Sequence, residues 1–128
     1  MDGLDDELLR RDVRRAEETI REVTGVDPKP WFRCPFGAGM EDERVLVALA
    51  ELGYRHVGWD VDPEDWNEEH GAADVERLVL EGVRARDEDT IVLLHGWPTA
   101  TGEALPAILR ALSADGVELV TVDRFEGT

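Results

Sequence analysis

Apolar residues return at helical spacing in several stretches of this chain, and shorter apolar runs of strand length lie between them. Leu4, Leu8, Leu9, Val13, Ala16, Ile20 and Val23 trace one face of a long amphipathic helix, with acids early in it and Gly25 placed to end it. Pro28 and Pro30 then break the chain, and Trp31-Phe32-Arg33 predicts a short strand. A second helix is expected from Glu41 to Leu52 on Val45, Leu46, Leu49 and Leu52, stopped by Gly53, with Tyr54 to Trp59 as the next strand. After an acidic loop, Val75, Leu78, Val79 and Val83 mark a third helix. Thr90-Ile91-Val92-Leu93-Leu94 is an unbroken apolar run of the kind buried on both faces. Ala104, Leu105, Ile108, Leu109 and Leu112 predict a fourth helix ended by Gly116, and Val117 to Val122 a last strand.

Helix followed by strand, repeated along the chain, argues for parallel strands joined by right-handed helical crossovers, in an open α/β sheet or part of a barrel. The length of 128 residues suits one domain, 1–128, with no fixed-period repeat and no low-complexity linker.

Composition narrows the function classes. The chain is 42% hydrophobic and 34% charged, enough apolar material for a core. No apolar run approaches the roughly 20 residues of a membrane span, so no membrane partner is expected. The acidic start, Met1-Asp2-Gly3-Leu4-Asp5-Asp6-Glu7, does not read as a secretory signal, and the expected location is cytoplasmic. Cys34 is the one cysteine, which leaves no internal disulfide and no multi-cysteine metal site. A net charge of -16 repels phosphate backbones and excludes nucleic acid as an expected partner. Lys29 is the single lysine, and the carboxylates are dispersed, a pattern like that of proteins from salt-rich cytoplasm.

In parallel α/β folds the ligand site lies beyond the carboxyl ends of the strands. The residues there are Arg33-Cys34-Pro35-Phe36-Gly37, Asp60-Val61-Asp62-Pro63-Glu64-Asp65-Trp66, His95-Gly96-Trp97 and Asp123-Arg124, which the fold class would bring to one rim. An imidazole at His95 suits proton delivery to a leaving group if a carboxylate holds its other ring nitrogen, and Asp62 is the candidate for that carboxylate. A hydrogen-bonded strand-end histidine is the plainer alternative. Trp66 and Trp97 offer flat faces for a sugar ring or acyl group, or simply pack. Arg33 suits a bidentate hold on a carboxylate, or a surface ion pair.

Three of these segments, in order, carry a resemblance to the polysaccharide deacetylase family, the NodB homology domain of carbohydrate esterase family 4. Trp31-Phe32-Arg33-Cys34-Pro35-Phe36-Gly37 resembles its Arg-Pro-Pro-Tyr-Gly motif, Trp59 to Trp66 its Asp-x-x-Asp-Trp motif, and Leu93-Leu94-His95 its Leu-x-His motif. The segment from Glu103 through Gly116 and Val120-Thr121-Val122 is similar to its closing helix and strand. The resemblance implies a partial (β/α) barrel and a hydrolase that removes N-acetyl or O-acetyl groups from a carbohydrate substrate. It further implies a divalent metal, zinc, holding the attacking water. By position, Arg33 would orient a catalytic base, and the Phe36 amide would help hold the oxyanion. Asp62 would tune His95 as general acid, and Trp66 and Leu93 would wall the acetyl pocket. Cys34 stands where the family has a proline, Phe36 where it has a tyrosine, and Gly96 where aspartate is frequent.

The family's earlier motifs, an Asp-Asp pair after a strand and a His-x-x-x-His pair, should precede the helix that opens this chain, so the N-terminal strands are expected to be missing. Asp5-Asp6 sits at a helix start, where acids satisfy free amides, and His56 and His70 have no ligand spacing. No metal-ligand set is therefore expected here. Three readings follow: a deacetylase whose metal half lies elsewhere, including a complementary N-terminal fragment as partner; a truncated non-catalytic remnant that binds carbohydrate or another chain; or a fragment with an open apolar edge.

Overall fold

The computed structural model describes residues 5–125. Leu4, the first apolar position of the opening helix, and Met1 to Gly3 lie outside them. The chain divides into two compact units, Met1–Gly58 and Trp59–Thr128.

In the first unit, α1 runs from Asp6 to Thr24. Its first turn is closed by the Asp5 carboxylate, which accepts the Leu8 amide at 2.8 Å, and its last by Gly25, whose φ of 70° only glycine adopts cheaply. β1 is Trp31–Phe32, α2 is Glu43–Glu51 and β2 is Arg55–His56. β1 and β2 pair in parallel, Trp31 beside Arg55 and Phe32 beside His56, with the Val57 amide bonded to the Phe32 carbonyl at 2.8 Å. Parallel neighbours cannot be joined by a tight turn, and α2 is the crossover that makes the pairing possible. The core of this unit is Leu9, Val13, Cys34, Val45, Ala48, Leu49 and Tyr54, with Phe32, Met40 and Leu52 against it. The apolar stripe expected along all of α1 buries only its first half, since Ile20 and Val23 are exposed.

The second unit repeats the scheme. Residue 61 lies parallel to residue 92, with the Leu93 amide on the Val61 carbonyl at 2.9 Å and the Asp60 amide on the Ile91 carbonyl at 2.8 Å. Between them α3, Ala72–Arg84, crosses over, and α4 follows at Thr99–Ala114. The two helices enclose Val75, Val79, Leu80, Ala104, Ile108 and Leu112, with Val92 and Leu94 packed against this cluster. Two expectations are corrected. The run Thr90 to Leu94 is only half-buried and pairs through a single bridge. Residues 117–121 form no strand, and Val117, Leu119 and Val120 are exposed. A strand exists only through a paired neighbour, and among the described residues none pairs with this segment. Apolar alternation alone cannot supply one.

Gly82 of α3 sits directly over Val61, so that a methyl group there would lie 2.6 Å from one Val61 methyl and 3.0 Å from the other. Overpacking costs about 1–3 kcal/mol, whereas alanine gains about 1 kcal/mol over glycine inside a helix. Gly82→Ala should therefore lower stability in urea unfolding by about 1 kcal/mol net, and Val61→Ala in the same chain should recover part of it. A more stable Gly82→Ala would contradict the close approach.

His56 on β2 has its Nε2 buried without a hydrogen-bond partner among the described residues. Burial disfavours the imidazolium and pushes its pKa below the ordinary value. The folded state thus binds fewer protons than the unfolded one, and stability that is full above about pH 6.5 declines as pH falls toward the depressed folded value. Amide protection in the first unit, taken relative to the intrinsic exchange rate at each pH, should fall over that range, and His56→Val should flatten the decline.

Candidate active site

The residues that follow the second unit's paired segments meet at one carboxylate. The Asp65 side chain is 0% exposed, and three donors reach it. His95 Nδ1 lies 2.7 Å from Oδ1, the His95 backbone amide donates to Oδ2 at 2.7 Å, and the Thr101 hydroxyl donates to Oδ2 at 2.6 Å. Burial alone would raise this carboxyl's pKa, but the Thr101 and His95 hydrogen bonds outweigh it and hold the group below the ordinary aspartate range. An ionised carboxylate only accepts, so Nδ1 of His95 carries a proton and its Nε2 is the position left for exchange with a ligand. The His95 side chain is 24% exposed, and the Trp97 ring lies beside it at a centroid distance of 5.9 Å.

Asp65 is not the carboxylate expected from the sequence. Asp62 instead turns back on its own loop, Oδ1 accepting the Glu64 amide at 2.9 Å, and it is exposed. That local bond helps hold Glu64 at a φ of 50°, a left-handed conformation that costs a non-glycine residue energy. The loop is braced further by His70, whose Nδ1 lies 3.1 Å from both the Pro63 and Glu64 carbonyls, and by the Asn67 amide on the Glu64 carbonyl at 2.9 Å. With its turn fixed in this way, the loop sends Asp65 inward and leaves Trp66 half-exposed. Leu93 lies half-buried beside the bridged residue 92.

In the first unit, Arg33 follows β1 and is exposed. Phe36 sits in a tight 3-10 turn, Pro35–Gly37, with a φ of 56° and its ring fully exposed. Strained backbone of this kind persists where the surroundings over-determine it, and it marks the segment as a functional candidate. Cys34, read as a departure from a proline, is a fully buried member of the core. Thr101 was missed because the fourth helix was expected from Ala104, whereas α4 begins at Thr99 and puts this residue in its first turn.

The donor set does not fit a zinc centre: among the described residues no group of three or more His, Cys, Asp or Glu side chains is placed to hold a metal ion. Asp5 caps α1, Asp6 pairs with Arg44 at 3.0 Å, His56 is buried in β2 and His70 braces a loop. No helix among them is long and apolar enough to cross a membrane.

Each unit thus carries a parallel α/β crossover, and the second places a buried carboxylate–imidazole pair beyond its paired segments. A pseudoenzyme of carbohydrate esterase family 4 from Bacillus anthracis superimposes at a TM-score of 0.84 with 18% identity, covering 98% of this chain and 42% of its own. The family profile described as polysaccharide deacetylase matches residues 1–57. The peptidoglycan-N-acetylmuramic acid deacetylase PdaC of Bacillus subtilis strain 168 is 31% identical over 116 residues, 91% of this chain and 23% of that protein. The chitooligosaccharide deacetylase of Azorhizobium caulinodans is 29% identical over 127 residues, 88% of this chain and 58% of that protein. The chain belongs to the polysaccharide deacetylase family, and it spans less than two thirds of the length of these relatives.

Replacing Asp65 by asparagine keeps the shape but puts an NH2 group against donors. Because removing one partner leaves buried groups unsatisfied, Asp65→Asn should cost about 2 kcal/mol or more at neutral pH. The sign with pH follows from the depressed pKa: the carboxylate's contribution is present above the ordinary aspartate value and lost as pH falls through the folded one. Urea titrations at neutral and acid pH should converge for wild type and variant only at the acid end.

Proposed function

We propose that this chain carries the proton-donating half of a carbohydrate deacetylase site, acting on N-acetyl or O-acetyl groups. The buried Asp65 carboxylate bonded to His95 Nδ1 at 2.7 Å is the observation that carries this reading. A held imidazole on a side chain that remains 24% exposed is the arrangement a general acid needs. His95 Nε2 would deliver the proton to the departing sugar nitrogen or oxygen as the acetyl carbon–heteroatom bond breaks. Asp65 would keep the ring in one tautomer and stabilise its positive charge. Trp66 and Leu93 are proposed to face the acetyl methyl. In the first unit, Arg33 would orient a carboxylate base, and the Phe36 amide would donate to the oxyanion. Both units are proposed to belong to one partial domain, 1–128, which the 98% coverage by a solved structure of the family supports.

The relatives' names, peptidoglycan and chitooligosaccharide deacetylases, support acetylated amino sugars as the substrate class. Divalent-metal dependence and a complementary N-terminal fragment remain part of the proposal, with the ligands supplied by residues other than those described. A second reading is a non-catalytic, carbohydrate-binding member. It is favoured by the lack of a three-ligand cluster among the described residues, and a pseudoenzyme is among the chain's structural neighbours.

The test is deacetylation of acetylated chito-oligosaccharide by this chain, alone and with the remainder of a family domain supplied. His95→Gln should lower kcat by about 10²–10⁴-fold with metal content unchanged. Undiminished turnover, or metal lost with the imidazole, would overturn the acid role. Saccharide binding without turnover in every combination would establish the second reading.

A further inference from the structure

Two of the three donors on Asp65 belong to His95 itself, its ring and its backbone amide. A carboxylate held only by those two would move with the histidine and could not define where its ring points. The third donor comes from a different element. Thr101 lies in the first turn of α4, 6% exposed, and its hydroxyl meets Oδ2 at 2.6 Å. Its β-branched side chain has few χ1 choices, so the hydroxyl direction is set by the helix backbone. That helix is itself fixed by Ala104 and Ile108 in the core of the second unit. The first turn of a helix also favours a nearby anion.

We propose that Thr101 is a positioning residue, which anchors the Asp65 carboxylate to α4 and so fixes the ring plane and the Nδ1-protonated tautomer of His95. Asp65 is the carboxylate bonded to the ring, and Thr101 and His95 are the groups whose hydrogen bonds act on it. With the hydroxyl removed, Oδ2 keeps only the His95 amide, and the carboxylate becomes free to rock with the imidazole. The structural claim rests on the Asp65–His95 pair alone; only its catalytic consequence rests on the deacetylase reading.

Nitrogen-15 spectra of the histidine side chains in the full 128-residue chain test it. Wild type and Thr101→Ser should show a slowly exchanging Nδ1 proton on His95. Thr101→Val, nearly the same shape without the hydroxyl, should exchange that proton about tenfold faster, the scale of one charge-assisted hydrogen bond. An unchanged spectrum in Thr101→Val overturns the proposal, as does a serine variant that behaves like valine. If the valine variant does not fold, Thr101→Ser against Thr101→Ala decides the matter, because both lack the methyl and differ only in the hydroxyl. Where the domain turns over substrate, Thr101→Val should shift the pH profile of kcat and Thr101→Ser should restore it. If His95→Gln leaves turnover intact while the spectra respond to Thr101, the acid role fails and the positioning role stands.

Discussion

A carboxylate without solvent access must find its donors inside the protein, and at Asp65 that requirement ties together pieces far apart in sequence. The loop after residue 61 carries the acceptor, and His95, three residues past the bridged residue 92, carries two donors. The first turn of α4 carries the third. An unpaired buried charge would cost several kcal/mol. The loop, the segment ending at His95 and the start of α4 therefore cannot adjust independently of one another. The same three bonds that stabilise the charge also hold a titratable imidazole partly open to solvent. Stability and chemistry in the second unit thus have a common origin.

Most of the helical framework was legible because helices announce themselves locally. The 3.6-residue recurrence around Leu9 and Val13, the glycine after Thr24 and the Val75–Val79 stripe are each sufficient within a few turns of chain. Strands were less legible, because pairing is a relation between distant segments. Tyr54 to Trp59 and Val117 to Val122 look alike in apolar content, yet the first contains β2, paired with β1, and the second is unpaired. The site shows the same division. His95 could be picked out by its place after an apolar run, but the choice between Asp62 and Asp65 depended on a loop whose bend is set by His70, Asn67 and a left-handed Glu64. Nothing in the spacing of the two carboxylates says which one the bend turns inward. Thr101 was hidden for a simpler reason: the helix start precedes the first apolar position by several residues.

The acidic composition acts on a different level from this site. Many carboxylates here are spent on short-range structure: Asp5 and Asp42 cap helices, Asp60 accepts the Ile91 amide at 2.8 Å, and Asp27 accepts the Lys29 amide at 3.0 Å. Their arginine pairs are mostly exposed, and such pairs contribute roughly 0–1 kcal/mol each and weaken with salt. Surface charge therefore sets solubility and self-repulsion more than it sets the fold. Asp65, the one buried carboxylate among the described residues, does the reverse, since its bonds are shielded from that screening.

The sidedness of the Asp65-Trp66 pair follows from these constraints. Asp65 and Trp66 are neighbours in one turn, where the carboxylate is buried and the adjoining ring is half-exposed. Because Asp65 is pinned by donors from two elements, Trp66 has little freedom to follow it into the core, and its apolar ring is held half in water. Leaving that ring exposed forfeits burial free energy, which contact with an apolar group would recover. The cost is structural and the benefit appears only with ligand. With Asp62 as the partner there would be no such coupling between the buried charge and the exposed ring.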